Sequence, residues 1–430
     1  MSATICMVLL LVLPVVMLAL MGAVTLLGAN IVQPGLGRFW LHLCWLGVGT
    51  ACGLLAAATP YTWLRQRQLP KWLLGAAFLL LLAVFVPGLG VVRNGAARWL
   101  PFGQPSEFAK LALAIYLADY CARNLPRMGE RWVGFLAPAS LAAAMALLVF
   151  KEPDWGTAAL IGAVAVLLLT QAGANLGYVC AALLIGGEVV ALLLLQNQRH
   201  LDRVLAYLHP AQYRHSIGWQ AWNAILALAS GGVRGAYFGQ GNQSQGFVPE
   251  SQTDFVLSRI GEEWGLVGGE TIVAAFVCLL LGGAWIAWQT KDPFAHFLAS
   301  GLTFLIALQA FIHIGVVSGA LPCKGIPLPF VSYGGSNLVC MLTSIGLLVS
   351  IARYAPATQQ APPRPPPPPM PGPIGTLLES SVQPLPGGLA GLGRGLRRAW
   401  RNHRFPSLPR YSYQLPPRPL APAPRGRGPG

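Results

Sequence analysis

Charge is scarce in this chain. Only 14 of its 430 residues are Asp or Glu, and charged residues of both signs make up 10% of the composition, against about 25% in an average soluble protein. That deficit excludes an ordinary soluble domain with a solvated charged surface. The eight cysteines contain no CxxC pair and no metal-ligand spacing, which argues against a zinc ribbon or a dithiol redox motif. Cys6, Cys44, Cys52, Cys121, Cys180, Cys278 and Cys340 lie in apolar segments and read as small buried hydrophobes, with only Cys323 in a loop. No internal repeat is visible, which speaks against transporters assembled from inverted repeats.

What the chain has instead is apolar sequence. Hydrophobic residues make up 54% of it, and runs long enough to cross a bilayer as helices recur over the first 350 positions or so. The expected fold class is an all-α polytopic membrane protein with about ten transmembrane helices. The expected spans are Thr4–Ala29, Phe39–Ala58, Trp72–Val92, Ser106–Ala122, Trp132–Phe150, Thr157–Gln171, Leu176–Gln196, Leu266–Trp288, His296–Ala320 and Ser336–Arg353. The first is too long for a signal-peptide core and lacks a basic flank, so it reads as a retained helix. Arg65, Arg67 and Lys71, then Arg123, Arg127 and Arg131, then Lys291 and the tail after Arg353 all fall on one side. The positive-inside rule puts that side and both termini in the cytoplasm. A large extracytoplasmic loop, Asn197 to about Gly261, then separates helices seven and eight, and a second loop, Leu321–Gly335, lies on the same outer side.

The few acids cluster. Pro249–Gly265 (PESQTDFVLSRIGEEWG) is the densest acidic run, and it leads straight into an apolar segment. Asp254 stands where a helix would begin, with Ser251 or Thr253 as caps and Ser251–Asp254 at capping-box spacing. A helix dipole favours the ionised carboxylate there, and an ionised carboxylate can take a proton from a hydroxyl. The plainer reading is a helix cap followed by a surface Arg259–Glu263 pair. Glu107 and Lys110 open the fourth span three residues apart, so they share a face and can neutralise each other. Glu152 and Asp154 sit in KEPDWGTA between two spans, where acid–base work, a cation or an ordinary turn are all open readings. Glu188 and Glu270 lie deep in apolar helices, where internal ion pairing is the bland account.

Positive charge also lies outside, at Arg93, Arg98, Lys151, Arg199, Arg203, Arg214, Arg234, Arg259 and Lys324. These are either solvated arginines and lysines or a set that converges on a lipid phosphate or diphosphate. In the last outer loop, GALPCKGIPLPFVSYGGSN, Pro322, Pro327 and Pro329 rule out a regular helix. Gly334, Gly335 and Ser336 offer N–H groups at a helix start, which suits an anion. Beyond about Ala355 the chain turns Pro- and Arg-rich, with prolines at 365–369 and ten arginines between Arg364 and Arg427 against Glu379. This tail is expected to be disordered or partly polyproline II, solvating or in contact with anionic lipid. The expected domains are residues 1–354, membrane-embedded, and 355–430, the cytoplasmic tail.

Five stretches together resemble one family. NGAARWLPFGQPSEFAK (Asn94–Lys110), EPDWGTA (Glu152–Ala158), IGWQAWNAILALASGGVRG (Ile217–Gly235), PESQTDFVLSRIGEEWG and GALPCKGIPLPFVSYGGSN are similar, in order, to the motifs of the SEDS family (shape, elongation, division and sporulation; the FtsW, RodA and SpoVE proteins). The resemblance reaches to about Arg353 and leaves out the tail. Cys323–Gly325 is closer to the division branch, FtsW. Gln252 stands where the family often has His, and the loop from Gly235 to Pro249 is short.

The resemblance implies a ten-helix peptidoglycan glycosyltransferase of the bacterial cytoplasmic membrane, at the division septum, that polymerises lipid II on the outer face. Its implied partners are lipid II, a class B penicillin-binding transpeptidase, other divisome proteins and membrane lipids, with no role for nucleic acid. The family's essential aspartate falls on Asp254, which makes that residue the expected catalytic base. Arg98, Arg203, Arg234 and Lys324 are expected to receive the diphosphate, helped by Ser332, Gly334, Gly335 and Ser336, while Glu107 and Lys110 position groups at the cavity. No metal ligand is identified, although a divalent cation (Mg or Mn) could share the diphosphate's charge. A lipid II flippase and a non-catalytic scaffold are the competing functions.

Overall fold

The computed structural model describes residues 3–32, 37–93, 96–196, 198–236, 239–241 and 252–359. The chain falls into two units, Met1–Pro362 and Pro363–Gly430. The second, and with it nearly all of the Pro/Arg-rich tail, lies outside the described residues.

The first unit is built from helices: α1 (Ala3–Val32), α2 (Gly37–Ala58), α3 (Leu69–Ala83), α4 (Pro105–Asn124), α5 (Ala137–Lys151), α6 (Trp155–Gln171), α7 (Leu176–Gln196), α8 (Gln198–Leu208), α9 (Trp219–Ser230), α10 (Val256–Gln289), α11 (Pro293–Val317) and α12 (Gly335–Gln359). One antiparallel hairpin, β1 (Val91–Arg93) and β2 (Ala96–Trp99), interrupts them. Among the described residues, six segments are long and apolar enough to cross a membrane: Ile5–Gly28, α2, Arg131–Lys151, α10, α11 and Gly335–Ala355. Leu69–Ala83, Trp155–Gln171 and Leu176–Leu192 are shorter apolar helices. The 20-residue α4 carries Glu107, Lys110, Asp119 and Arg123, which lower its apolarity.

Helices α4, α11 and α12 form the buried centre. Leu113, Leu117, Ala118, Leu298, Ala299, Leu302 and Ile351 are each fully enclosed. Helix α12 runs against α2 at close range, where Gly49, Gly53 and Gly346 let the backbones approach. Small residues at such contacts are how helices pack tightly where lipid supplies no hydrophobic drive.

Some boundaries differ from those the sequence suggests. The third helix ends at Ala83 rather than near Val92, because Pro87, Gly88 and Gly90 break the run and Val91–Arg93 pairs with Ala96–Trp99 as strands. Helix α10 begins ten residues before the apolar run, at Val256, and breaks at Gly265 (φ 67°, ψ −160°). That conformation suits glycine alone. A Cβ there would also lie 2.5 Å from Gly235 N and Val233 O. The turn after α9 docks on this break, with Ala236 N donating to Glu262 O and Leu266 N to Gly232 O, both at 2.9 Å. The interval between α7 and α10 is therefore partly helical, with α9 packed on α10.

Several charged residues also differ from expectation. Arg259 and Glu263 do pair at i,i+4 (2.8 Å), but the pair is buried rather than on the surface. Glu188 and Glu270 face outward rather than into internal ion pairs. All eight cysteines are free; Cys121 and Cys340 are buried, whereas Cys44 and Cys180 are exposed on helix faces.

Candidate functional site

A cavity of about 720 Å³ opens where four segments meet: the start of α2, the β2–α4 connection, the α5–α6 turn and the paired strands of loop before α10 and α12. Asp254, Asp154, Glu107, Arg98 and Arg38 line it, together with Gly334, Gly335 and Ser336 at the N-terminus of α12.

Asp254 sits in the turn just before α10. The helix starts after Phe255, whose own side chain makes no cap. Ser251, one of the proposed caps, lies outside the described residues. Two hydrogen bonds hold this turn to the last loop: Ser332 Oγ donates to Thr253 O (2.7 Å) and Tyr333 N to Gln252 O (2.9 Å). Ser332 Oγ also accepts from Leu328 N (2.8 Å), which folds the proline-rich loop on itself. The carboxylate then rests over Gly325, where an added Cβ would lie 2.5 Å from Asp254 Oδ2. Gln252, in the place often held by His, accepts at Oε1 from Arg38 Nη1 (3.3 Å) and so ties the start of α2 to this turn.

The opposite wall is built around Asp154. It caps α6, accepting from Thr157 N at Oδ1 (3.1 Å), and accepts from Gln104 Nε2 at Oδ2 (2.8 Å). Gln104 N in turn donates to Ser336 Oγ (3.2 Å), linking α4 to α12. The N-terminus of α12 thus reaches the cavity with its first N–H groups, an arrangement that attracts negative charge.

Glu107 and Lys110 form the buried floor. Lys110 Nζ lies 3.0 Å from both Glu107 carboxylate oxygens and donates to Gln309 Oε1 (2.8 Å). Gln309 Nε2 donates to Pro327 O (2.9 Å), so this network also positions the last loop. Glu107 reaches the cavity; Lys110 lies beneath it.

Four other expected residues do not line the cavity. Ser332 acts through its hydrogen bonds to the loop. Arg234 is exposed in the turn after α9. Lys324 is turned toward the Trp155 ring, with Nζ 4.9 Å from its centroid. Burial and the neighbouring Arg203 lower the Lys324 pKa, while Cys323 and Asp154 oppose that shift. Arg203 belongs to this lateral cluster, and it and Lys324 both act on the Cys323 thiol, which burial raises. Their spacing along the chain carries no sign of this grouping.

Arg38 and Gln104 were not singled out by sequence reasoning. The available signal was slight: a lone arginine at the mouth of an apolar span, and a Gln before Pro105 at a helix start. Among the described residues, no group of three or more His, Cys, Asp or Glu is placed to hold a metal ion.

Comparison with known proteins agrees with these motifs. The family model for FtsW, RodA and SpoVE, described as cell cycle proteins, matches residues 1–357. The chain is 38% identical over 309 residues to a probable peptidoglycan glycosyltransferase FtsW of Geobacter metallireducens, covering 71% of this chain and 82% of that one. It is 34% identical over 319 residues to the stage V sporulation protein E of Bacillus subtilis, covering 73% and 86%. Its fold resembles a chain of a peptidoglycan synthase complex that coordinates polymerization and crosslinking (TM-score 0.66, 28% identity, 80% of this chain and 97% of that one). It also resembles the rod shape determining protein RodA of Thermus thermophilus (TM-score 0.59, 26% identity, 80% and 96%).

Proposed function

Because the chain belongs to the FtsW/RodA/SpoVE family, we propose that it is a multi-pass membrane peptidoglycan glycosyltransferase that polymerises lipid II during septal wall synthesis. The observation that carries this reading is Asp254, held on two hydrogen-bonded loops at a cavity edged by Arg98, Arg38 and the α12 N-terminus. A base and positive charge that share one cavity are what glycosyl transfer from a lipid diphosphate needs. Asp254 takes the proton from the acceptor sugar hydroxyl as that oxygen attacks the anomeric carbon of the donor. The bond to the diphosphate breaks in the same displacement, which inverts that carbon. Arg98, Arg38 and the Gly334–Ser336 N–H groups receive the charge that develops on the leaving diphosphate. Lys324 and Arg203 add positive field from the side, and Glu107 with Lys110 holds the floor. A divalent cation could join the diphosphate as its counter-charge.

The six long apolar helices, the three shorter ones and α4 support a reading of ten spans, and the loop charges support both termini inside. Exposed Trp63, Trp72, Trp132 and Trp288 lie at the same helix ends as Arg65, Lys71, Arg131 and Lys291, as expected of an interfacial belt on the cytoplasmic side. The cavity is then on the outer face. Residues 1–354 form the catalytic domain and 355–430 a cytoplasmic tail. The partner is a class B penicillin-binding transpeptidase, in keeping with the synthase complex that the fold resembles.

The test is strand synthesis from labelled lipid II by purified protein, alone and with its transpeptidase, comparing wild type with Asp254→Asn. Long strands from wild type alone support the proposal. Lipid II movement across vesicles without strands, unchanged in Asp254→Asn, would establish a flippase instead.

A further inference from the structure

Glu152 is not used by this mechanism, yet it is among the most confined acids in the described chain. It lies in the turn between α5 and α6, outside both helices, and its side chain is 0% exposed. Neither of its carboxyl oxygens has a hydrogen-bond partner. Arg98, which lines the cavity, has its Nε buried and likewise without an acceptor. Unmatched polar groups of this kind are uncommon in native proteins and point to a role for them.

We propose that Glu152 is a proton-linked positioning residue: it takes up a proton when Arg98 turns to an anionic diphosphate in the cavity, and gives it back when the diphosphate leaves. This rests on the reading that the cavity accepts a lipid-linked sugar diphosphate. The surroundings of Glu152 supply the coupling. Burial and the neighbouring Asp154 carboxylate push the Glu152 carboxyl up to about 8, and the Arg98 guanidinium pulls the other way. Asp154 also acts on Lys324 of the last loop, and Lys151, next to Glu152 in sequence, is exposed. Arg98 is the cation that opposes burial and Asp154 at Glu152, so its position bears on the charge there. A diphosphate that engages Arg98 screens its field at Glu152 and adds negative field of its own. Both effects favour the protonated carboxyl. The proton comes from solvent on binding and returns on release, and no other bond changes.

The sign follows from linkage. A carboxyl whose pKa rises on binding makes binding stronger at low pH. Affinity falls as pH rises through about 8, by up to tenfold per pH unit within the window between the free and bound values.

The experiment uses the full-length protein in detergent and a short-prenyl P1,P2-diester of diphosphate with N-acetylglucosamine, whose own charges do not titrate between pH 7 and 9.5. Calorimetry in two buffers of different ionisation enthalpy counts protons. Wild type is expected to take up a fraction of a proton, up to one, at pH 8.5, and to lose about tenfold or more in affinity between pH 7.5 and 9.5. Glu152→Gln, neutral and of the same shape, is expected to take up none and to change less than twofold, so that at pH 9.5 it binds more tightly than wild type. The same proton count and pH slope in both proteins overturns the proposal. If the variant does not fold, infrared difference spectra of wild type decide: a protonated-carboxyl band that grows when the diester is added at pH 8.5 supports it, and no growth overturns it. Strand synthesis by wild type is scored separately. Proton-linked binding without strands would sink the glycosyltransferase reading and leave this one standing; strands without proton uptake would do the reverse.

Discussion

Asp119, near the C-terminal end of α4, is held by two arginines, while the acids near the N-terminal end of the same helix gather round open space. The ends lie about 18 Å apart, the rise of the 12 residues from Glu107 to Asp119. At the first, Asp119 meets Arg123 Nε at 2.7 Å and Arg65 Nε at 3.3 Å, and Arg65 reaches on to Asp292 at 3.8 Å. Asp292 in turn caps α11 through Phe294 N. None of these groups lines the large cavity. At the other end Asp254, Asp154 and Glu107 all face it, and Glu152 behind them has no hydrogen-bond partner. Carboxylates matched to guanidinium groups hold helices together. Carboxylates that line a cavity lie within reach of a ligand.

Substitutions at the two ends should therefore separate. The largest effect is expected from Asp254→Asn, which removes the proposed base. General-base catalysis typically contributes about 10²–10⁴-fold, so strand synthesis should fall at least that far with the fold intact, read by glycan electrophoresis and thermal unfolding. Next comes Lys110→Met, which leaves Glu107 buried without its cation. Breaking a buried pair in this way costs about 3–5 kcal/mol, seen as a lowered unfolding temperature in detergent. Gly325→Ala should push the Asp254 carboxylate off its seat while leaving its chemistry in place. A shift of about 1 Å can cost about 10²-fold, so turnover should drop with little change in stability. The smallest effect belongs to the far end: Arg123→Ala removes a half-exposed partner that Arg65 can replace, with an expected loss under about 1 kcal/mol and unchanged strand synthesis. A large loss of synthesis in Arg123→Ala would break the comparison.

Much of the fold was legible because a bilayer imposes one length on every span. The runs from Phe39, Trp132, Leu176 and His296 needed only that rule. The third helix was overextended because hydropathy does not distinguish Leu79–Ala83, which is helical, from Val91 and Val92, which form a strand; Pro87 and Gly88 carried the correct signal. The start of α10 at Val256 lies where the acidic run around Asp254 suggests a helix start, but the burial of Arg259, Glu262 and Glu263 could not be read locally, because it goes with the turn after α9 docked on this helix. Glu188 and Glu270 were misjudged because an apolar run says nothing about which way one face points.

Of the site, Asp254, Glu107, Arg98 and Gly334–Ser336 could be found from local patterns, since each sits in a polar motif beside a span. The rest depends on long-range contacts. Arg38 meets Gln252 across 214 residues, and Gln104 meets Asp154 across 50. Arg203, Arg234 and Lys324 were included for charge alone, and charge does not say which arginine turns to the cavity.

The central claim is that the two ends of α4 differ in function, and one paired measurement tests it most directly. Strand synthesis from labelled lipid II would be followed for wild type, Asp254→Asn and Asp119→Asn, with the transpeptidase present and each protein shown to be folded. The account predicts strands from wild type and Asp119→Asn, and none from Asp254→Asn. Strands of normal length and rate from Asp254→Asn would contradict it.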